Sequence, residues 1–338
     1  MTDKMTSRER MLAALRRQEV DYVPCCPSFS ASLAGPQYTW EGRADSLERI
    51  VQVLGLDAVV PVGVEPSWHP EVTTRTWKES APGEPWPILH KEIITPAGPL
   101  HAAIRITEDL EHKEDIPLYS DWNVSRFVKP WLQTMEDVER YQYVHMPPSN
   151  RQIAAARERF AEKKQLAERY GLATLADCGM GLTAALQLFG AEGSVLLSMD
   201  RPDIIQRFLE IEHRTTMRRA EVLADLGVDI IRRNGFYETT DFWSPRQLRE
   251  WLVPLLKEEI AAMRSGGAAV AYTVCTGIMP MLDILAELDF DAYRDIEPAL
   301  GHQDMKVVAA RLCDRHAIWG GVSGPMHIGE GTPEVARQ

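Results

Sequence analysis

Residues 224–280, ADLGVDIIRRNGFYETTDFWSPRQLREWLVPLLKEEIAAMRSGGAAVAYTVCTGIMP, decide the predicted fold. The short β-branched run at 228–231 is typical of a buried parallel strand. Ser244 and Gln247 form a capping box that predicts the start of a helix, and a Gly-Gly pair predicts its end. The apolar run 268–274 predicts the next buried strand. This order of strand, loop, helix and strand indicates a parallel α/β protein.

The loop between the first of these strands and the helix is the predicted location of the active site. In a parallel α/β protein, the carboxyl ends of the strands and the loops after them form the catalytic face. The loop carries Tyr237, Glu238 and Asp241. Two carboxylates in a partly dry cleft can act as acid and base or bind a metal. The alternative for Asp241 is that it caps the turn before Ser244. These residues predict an enzyme.

Further candidates lie at the ends of other predicted strands. Tyr272 either donates a hydrogen bond to a substrate or packs as a pocket wall. Cys275 is either a metal ligand or a small buried hydrophobe. Glu65 and His69 follow the second predicted strand, where a histidine is a natural proton shuttle. The predicted pocket-lining residues are Phe236, Trp243, Trp68 and His302.

The rest of the chain predicts a single domain over residues 1–338 with a (β/α)8 barrel, of which seven strands can be counted. Alternating polarity around a Pro-Ala-Gly-Pro turn predicts an antiparallel hairpin inserted at about 72–110, before a loop at 111–130. Helix starts are predicted by Thr6 with Glu9, and by Thr134 with Asp137. The predicted strands are 21–29, 56–63, 171–177, 228–234, 268–275, 290–295 and 317–323, and the further predicted helices include 44–54, 150–170 and 200–226.

Composition narrows the class of protein. The chain has 338 residues, of which 45% are hydrophobic and 25% charged, with a formal net charge of −12. It shows no basic cluster with interleaved aromatics, which argues against a nucleic-acid or anionic membrane partner. The five cysteines form neither a disulfide framework nor a metal knuckle, and the N-terminus is charged where a signal peptide is apolar. We therefore expect a cytoplasmic protein outside the membrane.

Several sequence motifs resemble those of the uroporphyrinogen decarboxylase (URO-D) superfamily, and they occur in the same order along the chain as in that family. They are SRERMLAALRRQEVDYVP at 7–24, GMGLTAALQLFG at 179–190, the helix at 244–268, TGIMPMLDILAELDFDA at 276–292, and WGGVSGP at 319–325. The resemblance implies a (β/α)8 barrel of the URO-D type with a deep cleft, and a homodimer. It also implies that the eighth strand is missing, because the chain ends within the family's seventh helix.

The motifs separate the two chemistries of this superfamily. True decarboxylases carry Arg-Gln-Ala-Gly-Arg-Tyr after the first strand, where this chain has 28–35 without a basic residue. They also place an aspartate after the second strand, where Glu65 is the nearest carboxylate here. Corrinoid-dependent methyltransferases carry a zinc-binding His-x-Cys, where this chain has Thr273-Val274-Cys275. The chain thus resembles a divergent subgroup nearer the methyltransferase-like branch, with only Cys275 kept as a metal ligand.

Three functions are predicted from these residues and the resemblance. The first is methyl transfer between a small methylated or methoxylated substrate and a corrinoid protein. In it Glu238, Asp241, Tyr272 and Cys275 polarise the leaving oxygen directly or through a metal such as zinc. The second is decarboxylation of a small or tetrapyrrole acid without a cofactor, using Glu65 and Tyr237. The third is a non-catalytic barrel that binds a corrinoid or a porphyrin.

Overall fold

Six short strands form a parallel sheet that carries the candidate site. The computed structural model describes residues 5–27, 50–51, 54–80, 82–332 and 334. The sheet order is β1-β6-β7-β8-β9-β10, and every neighbouring pair is parallel. Its strands are β1 (Val59–Val62), β6 (Ala173–Asp177), β7 (Ile230–Asn234), β8 (Ala269–Thr273), β9 (Ala292–Arg294) and β10 (Ala317–Trp319).

Helices connect these strands as a parallel sheet requires. The described α-helices are α1 (Ser7–Leu15), α2 (Asp121–Val124), α3 (Met135–Tyr141), α4 (Asn150–Tyr170), α5 (Leu182–Phe189), α6 (Ala191–Asp200), α7 (Pro202–Leu226), α8, α9 (Leu282–Glu287) and α10 (Met305–Leu312). A 3-10 turn at Met279–Met281 and a π-helix at Gly324–Gly329 add to them. Helix α8 begins with Pro245–Gln247, passes through a π turn at Leu248–Leu252 and ends with Val253–Arg264. The capping boxes predicted at Thr6, Thr134 and Ser244 are confirmed.

The predicted closed barrel is only partly borne out. The fold is α/β with a mainly parallel sheet, but the described residues do not form a closed barrel. Residues 21–27 of the predicted first strand are not a strand. Pro24 and Pro27 remove backbone donors from this segment, and Asp57 holds it instead by accepting from the Cys25 amide at 2.9 Å. Residues 28–29 of that strand and most of the predicted helix 44–54 lie outside the described residues.

The two faces of the parallel sheet are buried against different partners. On the inner face, Leu175, Ile230 and Ala271 pack in one cluster with Leu12 and Leu15 of α1. On the outer face, apolar side chains of the same strands pack in the main core with the surrounding helices, as Ile231, Val270 and Tyr272 do. Successive side chains of a strand alternate between faces. We call the carboxyl end of the inner face the mouth. The face that a polar side chain occupies therefore decides whether it can point into the mouth or points towards the helices.

A second sheet covers part of the molecule. The region where the hairpin is predicted forms β2 (Thr73–Glu79), β3 (Ile88–Thr95) and β4 (Gly98–Arg105) of an antiparallel sheet. The sheet gains a fourth strand, β5 (Phe127–Lys129), inside the segment predicted as a loop. Among the described residues no single helix is long and apolar enough to cross a membrane, while one pair, α5 with α6, bent by 111°, meets that test by length and composition.

Candidate active site

The carboxyl end of the inner face carries a row of polar side chains. Asp177 is in register with Arg232, and Thr273 is in register with Arg294. Each lies two residues beyond an apolar inner-face residue of its own strand, such as Leu175 or Ile230. The alternation of a strand therefore places all four on the inner face. This is the end of a parallel sheet where catalytic groups belong.

Arg232 and Asp177 form a bidentate ion pair across β7 and β6. Arg232 Nη2 donates to Asp177 Oδ2 at 2.7 Å, and Nε donates to Oδ1. Burial opposes the charge of the guanidinium, but Asp177 outweighs it and raises the pKa of Arg232. The Asp177 side chain is 54% exposed, so this pair lies at an open mouth and not in a sealed core.

Asp295 follows β9 in a strained backbone conformation. Its φ is +65°, in the left-handed region that residues with a side chain rarely adopt. The Asp295 amide donates to the Trp319 carbonyl at 3.1 Å, and its carboxylate accepts from Arg294 Nη1 at 3.0 Å. Burial and the nearby Asp177 raise the pKa of Asp295 to about 6, although Arg232 opposes the shift. Asp295 therefore binds a proton more tightly than an ordinary aspartate, and it lies close enough to Arg232 to feel the charge of the guanidinium.

Thr273 and Cys275 occupy β8 and the turn beyond it, between the two arginines. The Thr273 hydroxyl is buried and has no hydrogen-bond partner among the described residues. Burial, together with Glu297 and Asp295, raises the pKa of the Cys275 thiol to about 12, so the thiol stays protonated. Within the described part of the chain, no group of three or more His, Cys, Asp or Glu side chains is placed to hold a metal ion. A metal role for Cys275 remains a prediction.

Tyr272 lies on the outer face of β8 and contacts Glu238, and the catalytic role predicted for Glu238 remains a prediction. Glu238 is fully buried and accepts from the Leu182 amide at 2.8 Å and from Arg233 Nη2 at 3.1 Å. Its second oxygen accepts from the Tyr272 hydroxyl at 2.5 Å. Burial raises the pKa of Glu238, and Arg233 opposes that shift. All its strong donors come from the protein, so Glu238 holds the loop after β7 against the sheet.

Arg233, which sequence reasoning missed, is the centre of this buried network. Its Nε donates to Glu259 Oε2 of α8 at 2.6 Å. Glu259 also lies 3.1 Å from His213 Nδ1 on α7. Burial alone would lower the pKa of Arg233, but the two carboxylates more than offset it and the pKa is raised. The network ties β7 and the loop after it to two helices.

Asp241 joins the loops that follow β7 and β8. Its carboxylate accepts from the Thr276 hydroxyl at 2.5 Å. Gly277 has φ of +63°, and a side chain there would lie 2.6 Å from Asp241 Cγ, so only glycine fits. The helix itself is capped by Ser244 as predicted, since the Ser244 hydroxyl accepts from the Gln247 amide, and the alternative that Asp241 caps the turn before Ser244 remains a prediction. A catalytic role for Asp241 remains a prediction.

The aromatic residues of the loop mainly support it. The Trp243 indole is buried and donates to the Tyr237 carbonyl at 2.9 Å, and its predicted place in the pocket lining remains a prediction. Tyr237 packs edge-on against Phe236, at 4.9 Å between ring centroids. Its hydroxyl is bonded to Asp121, and burial together with that carboxylate raises its pKa. Tyr237 and Phe236 stay half-buried, and their predicted roles are untested.

The remaining predicted residues are spread around the rim. Glu65 is exposed after β1, and the Trp68 side chain is 41% exposed. The His69 ring packs edge-on against Tyr143, and its Nδ1 accepts from the Glu71 amide at 3.3 Å. His302 is exposed, with a left-handed φ of +50°. The roles predicted for these four residues remain predictions.

Comparisons with known proteins agree with this architecture. The family model described as uroporphyrinogen decarboxylase (URO-D) matches residues 119–338. A solved structure of a methyltransferase from Methanosarcina mazei superimposes with a TM-score of 0.55 at 18% sequence identity, covering 97% of this chain and 86% of that one. At this identity the likeness shows the fold alone. A search of curated protein sequences found no significant match.

Proposed function

The chain belongs to the uroporphyrinogen decarboxylase (URO-D) family, and on that premise we propose that it is an enzyme that transfers a methyl group from a small oxygen-methylated substrate. Asp295 is the proton donor in this proposal. The observation that carries it is the placement of Asp295 at the carboxyl end of the sheet, within 3.0 Å of Arg294 and with a pKa of about 6. A carboxylic acid with a pKa near the working pH is suited to general acid catalysis.

The chemistry needs such an acid because an alkoxide or phenoxide is a poor leaving group. The methyl carbon–oxygen bond breaks as the methyl group passes to a nucleophilic acceptor. The bonding electron pair stays on the oxygen, which takes the proton of Asp295. Arg294 and Arg232 then stabilise the carboxylate left on Asp295. The donor returns to its starting state when it takes a proton from water.

A corrinoid bound to a partner protein would supply the methyl-accepting centre in this reaction. The chain's own residues fit an acceptor that approaches from outside, since the side chains of Asp177 and Asp295 are 54% and 38% exposed. No step of this reaction uses zinc, because the described residues include no group of three or more His, Cys, Asp or Glu side chains that could hold a metal ion.

The test compares Asp295→Asn with the matched change Asp283→Asn on α9, where the aspartate side chain is 74% exposed. We expect the rate of methyl transfer from methoxybenzoates to free cob(I)alamin to fall as pH rises through about 6, because only protonated Asp295 is active. Asp295→Asn should lower the rate by about 10²–10⁴-fold and remove this pH dependence. Asp283→Asn should keep both the rate and its pH dependence. Full activity of Asp295→Asn, or no transfer from any methylated donor, would contradict the proposal.

Decarboxylation of a small acid is the second candidate, and the same observation favours it. A protonated Asp295 could deliver its proton to the carbanion that remains when carbon dioxide leaves. Release of carbon dioxide from a carboxylated arene or pyrrole, with no methyl transfer, would identify this reaction. Ligand binding without either product would instead indicate the non-catalytic barrel.

A further inference from the structure

We propose that the substrate is a small monocarboxylate whose carboxylate is bound by Arg232, with the Thr273 hydroxyl as a second donor. The inference rests on the proposed function, since it names the substrate class of the same site. It differs from the octacarboxylate of the family's name, and it uses side chains of β7 and β8 instead of the first loop.

Arg232 has donors left over for a ligand. A guanidinium carries five N–H groups in a planar fork that matches a carboxylate. Asp177 takes the Nε group and one group on Nη2. The described residues give no hydrogen-bond partner to Nη1. Because Asp177 holds the guanidinium plane in place, these remaining donors are already oriented when a carboxylate arrives.

Thr273 supplies the second donor from the neighbouring strand. It is in register with Asn234 of β7, the next inner-face residue beyond Arg232. Its hydroxyl is buried without a partner in the described part of the chain. A buried hydroxyl without a partner is unfavourable, and a bound carboxylate oxygen would satisfy it. The Thr273 hydroxyl can therefore donate a hydrogen bond to a carboxylate oxygen and complete a binding site for that group.

Protonation of Asp295 changes the charge of the site in favour of an anion. Arg232 is ion-paired with Asp177, and Arg294 is ion-paired with Asp295. When Asp295 takes up a proton, the site gains one positive charge, which the carboxylate of a ligand can offset. Two further carboxylates are already hydrogen-bonded within the protein, since Glu297 accepts from the amides of residues 299 and 300, and Asp241 accepts from Thr276. The Cys275 thiol is protonated and adds no charge.

A small apolar body attached to the carboxylate would lie at the open end of this polar row. Ala271 and Ala292, beneath Thr273 and Arg294, are fully buried in the cluster with α1, so the body stays above them. Trp319 adds an aromatic surface with the Arg294 guanidinium 5.0 Å above its ring. A planar ring with one carboxylate, such as a benzoate, presents these two features together.

The experiment measures binding by calorimetry with benzoate and 3-methoxybenzoate as probes and benzamide as the neutral shape match. We expect the two carboxylates to bind at least about 10-fold more tightly than benzamide, because hydrogen bonds to charged groups are the stronger ones. Arg232→Gln should weaken benzoate binding about 10–100-fold, and Thr273→Val about 5–10-fold. The control is Arg246→Gln, whose side chain is 83% exposed on α8, and it should leave binding unchanged.

The outcomes separate this inference from the proposed function. Tight carboxylate binding without turnover would support the inference and overturn the proposed reaction. Methyl transfer from neutral ethers, with equal affinity for benzoate and benzamide, would overturn the inference and leave the reaction standing. The benzoate and benzamide comparison needs no variant, so a variant that fails to fold leaves the test decisive. Arg232→Lys, which keeps the charge but loses the fork, should still bind more weakly than the native protein.

Discussion

Replacing Arg233 by methionine is expected to lower the free energy of unfolding by about 3–5 kcal/mol. Arg233 bonds to Glu259 at 2.6 Å and to Glu238 at 3.1 Å, and all three side chains are at least 97% buried. Methionine fills a similar length but offers no donor. The change would therefore leave two carboxylates buried without their counter-charge, which is the costly way to break a buried ion pair.

The neighbouring residue is a matched control. Arg232→Met removes the same side chain from the same strand, but on the inner face. Its partner Asp177 is 54% exposed and returns to water when the pair is lost. An ion pair of this kind contributes about 0–1 kcal/mol. The two substitutions thus differ mainly in whether the carboxylate left behind can be solvated.

Urea unfolding followed by circular dichroism at pH 7 and at pH 5 measures both effects. In Arg233→Met the folded-state pKa values of Glu238 and Glu259 rise, since burial remains and the guanidinium is gone. Lower pH then protonates them in the folded state, and the deficit relative to the native protein should shrink at pH 5. Equal losses for Arg232→Met and Arg233→Met, or a loss below about 1 kcal/mol for Arg233→Met, would refute the reasoning.

Further predictions concern glycine packing and the charges at the mouth. Gly235→Ala would push a methyl group into the Tyr272 ring and should lower the free energy of unfolding by about 1–3 kcal/mol. Gly193→Ala in helix α6, where no atom lies within 4 Å, should raise the free energy of unfolding by up to about 1 kcal/mol. Thermal unfolding measures both changes. Folded Asp295 binds its proton more tightly than the unfolded chain does, so it makes the protein less stable as pH rises from about 4 to about 6; Asp295→Asn should be more stable than the native protein at pH 7 and remove that slope. Asp177→Asn loses the bidentate acceptor that orients the Arg232 guanidinium and should weaken benzoate binding in calorimetry; unchanged or tighter binding would contradict the orienting role of Asp177.

The sequence predicts the elements of the 224–280 block well because their signals are local. The strands lie at Ile230–Asn234 and Ala269–Thr273, close to the apolar runs that predict them. The helix between them begins after Ser244, which is the predicted cap. A capping box and a β-branched run each depend on a few neighbouring residues, so tertiary contacts did not override them here.

The face of each strand could not be predicted from these signals. Both faces of the parallel sheet are buried, so its strands read as apolar runs without the alternation that marks one side. Nothing in the sequence of β8 tells whether Tyr272 or Thr273 looks into the mouth. Their contacts decide it, because Tyr272 reaches Glu238 while Ala271, two residues before Thr273, packs with α1. The sequence therefore does not tell on which side of the sheet the contacts of Glu238 lie.

One sequence signal could have found the inner-face residues that were missed. Asp177, Arg232 and Arg294 each lie at or near the end of a short apolar run. A charged side chain that closes a buried strand is unusual unless it faces an open mouth or a paired charge. The signal gives several candidates but no pairing. That Arg232 pairs with Asp177, and Arg294 with Asp295, follows only from the strand order and register.

Arg232 and Arg233 differ in their access to solvent, and this difference decides which of them can bind a ligand. Both are held by carboxylates, and burial opposes the charge on both. A ligand at Arg233 would have to displace a buried carboxylate, which then has no solvent to enter. A ligand at Arg232 meets unused donors beside a carboxylate that water already reaches. Only Arg232 can replace water by a ligand carboxylate at a small cost in free energy. The inner arginine, Arg232, is therefore the group that can recognise a substrate, and the more deeply buried Arg233 is not.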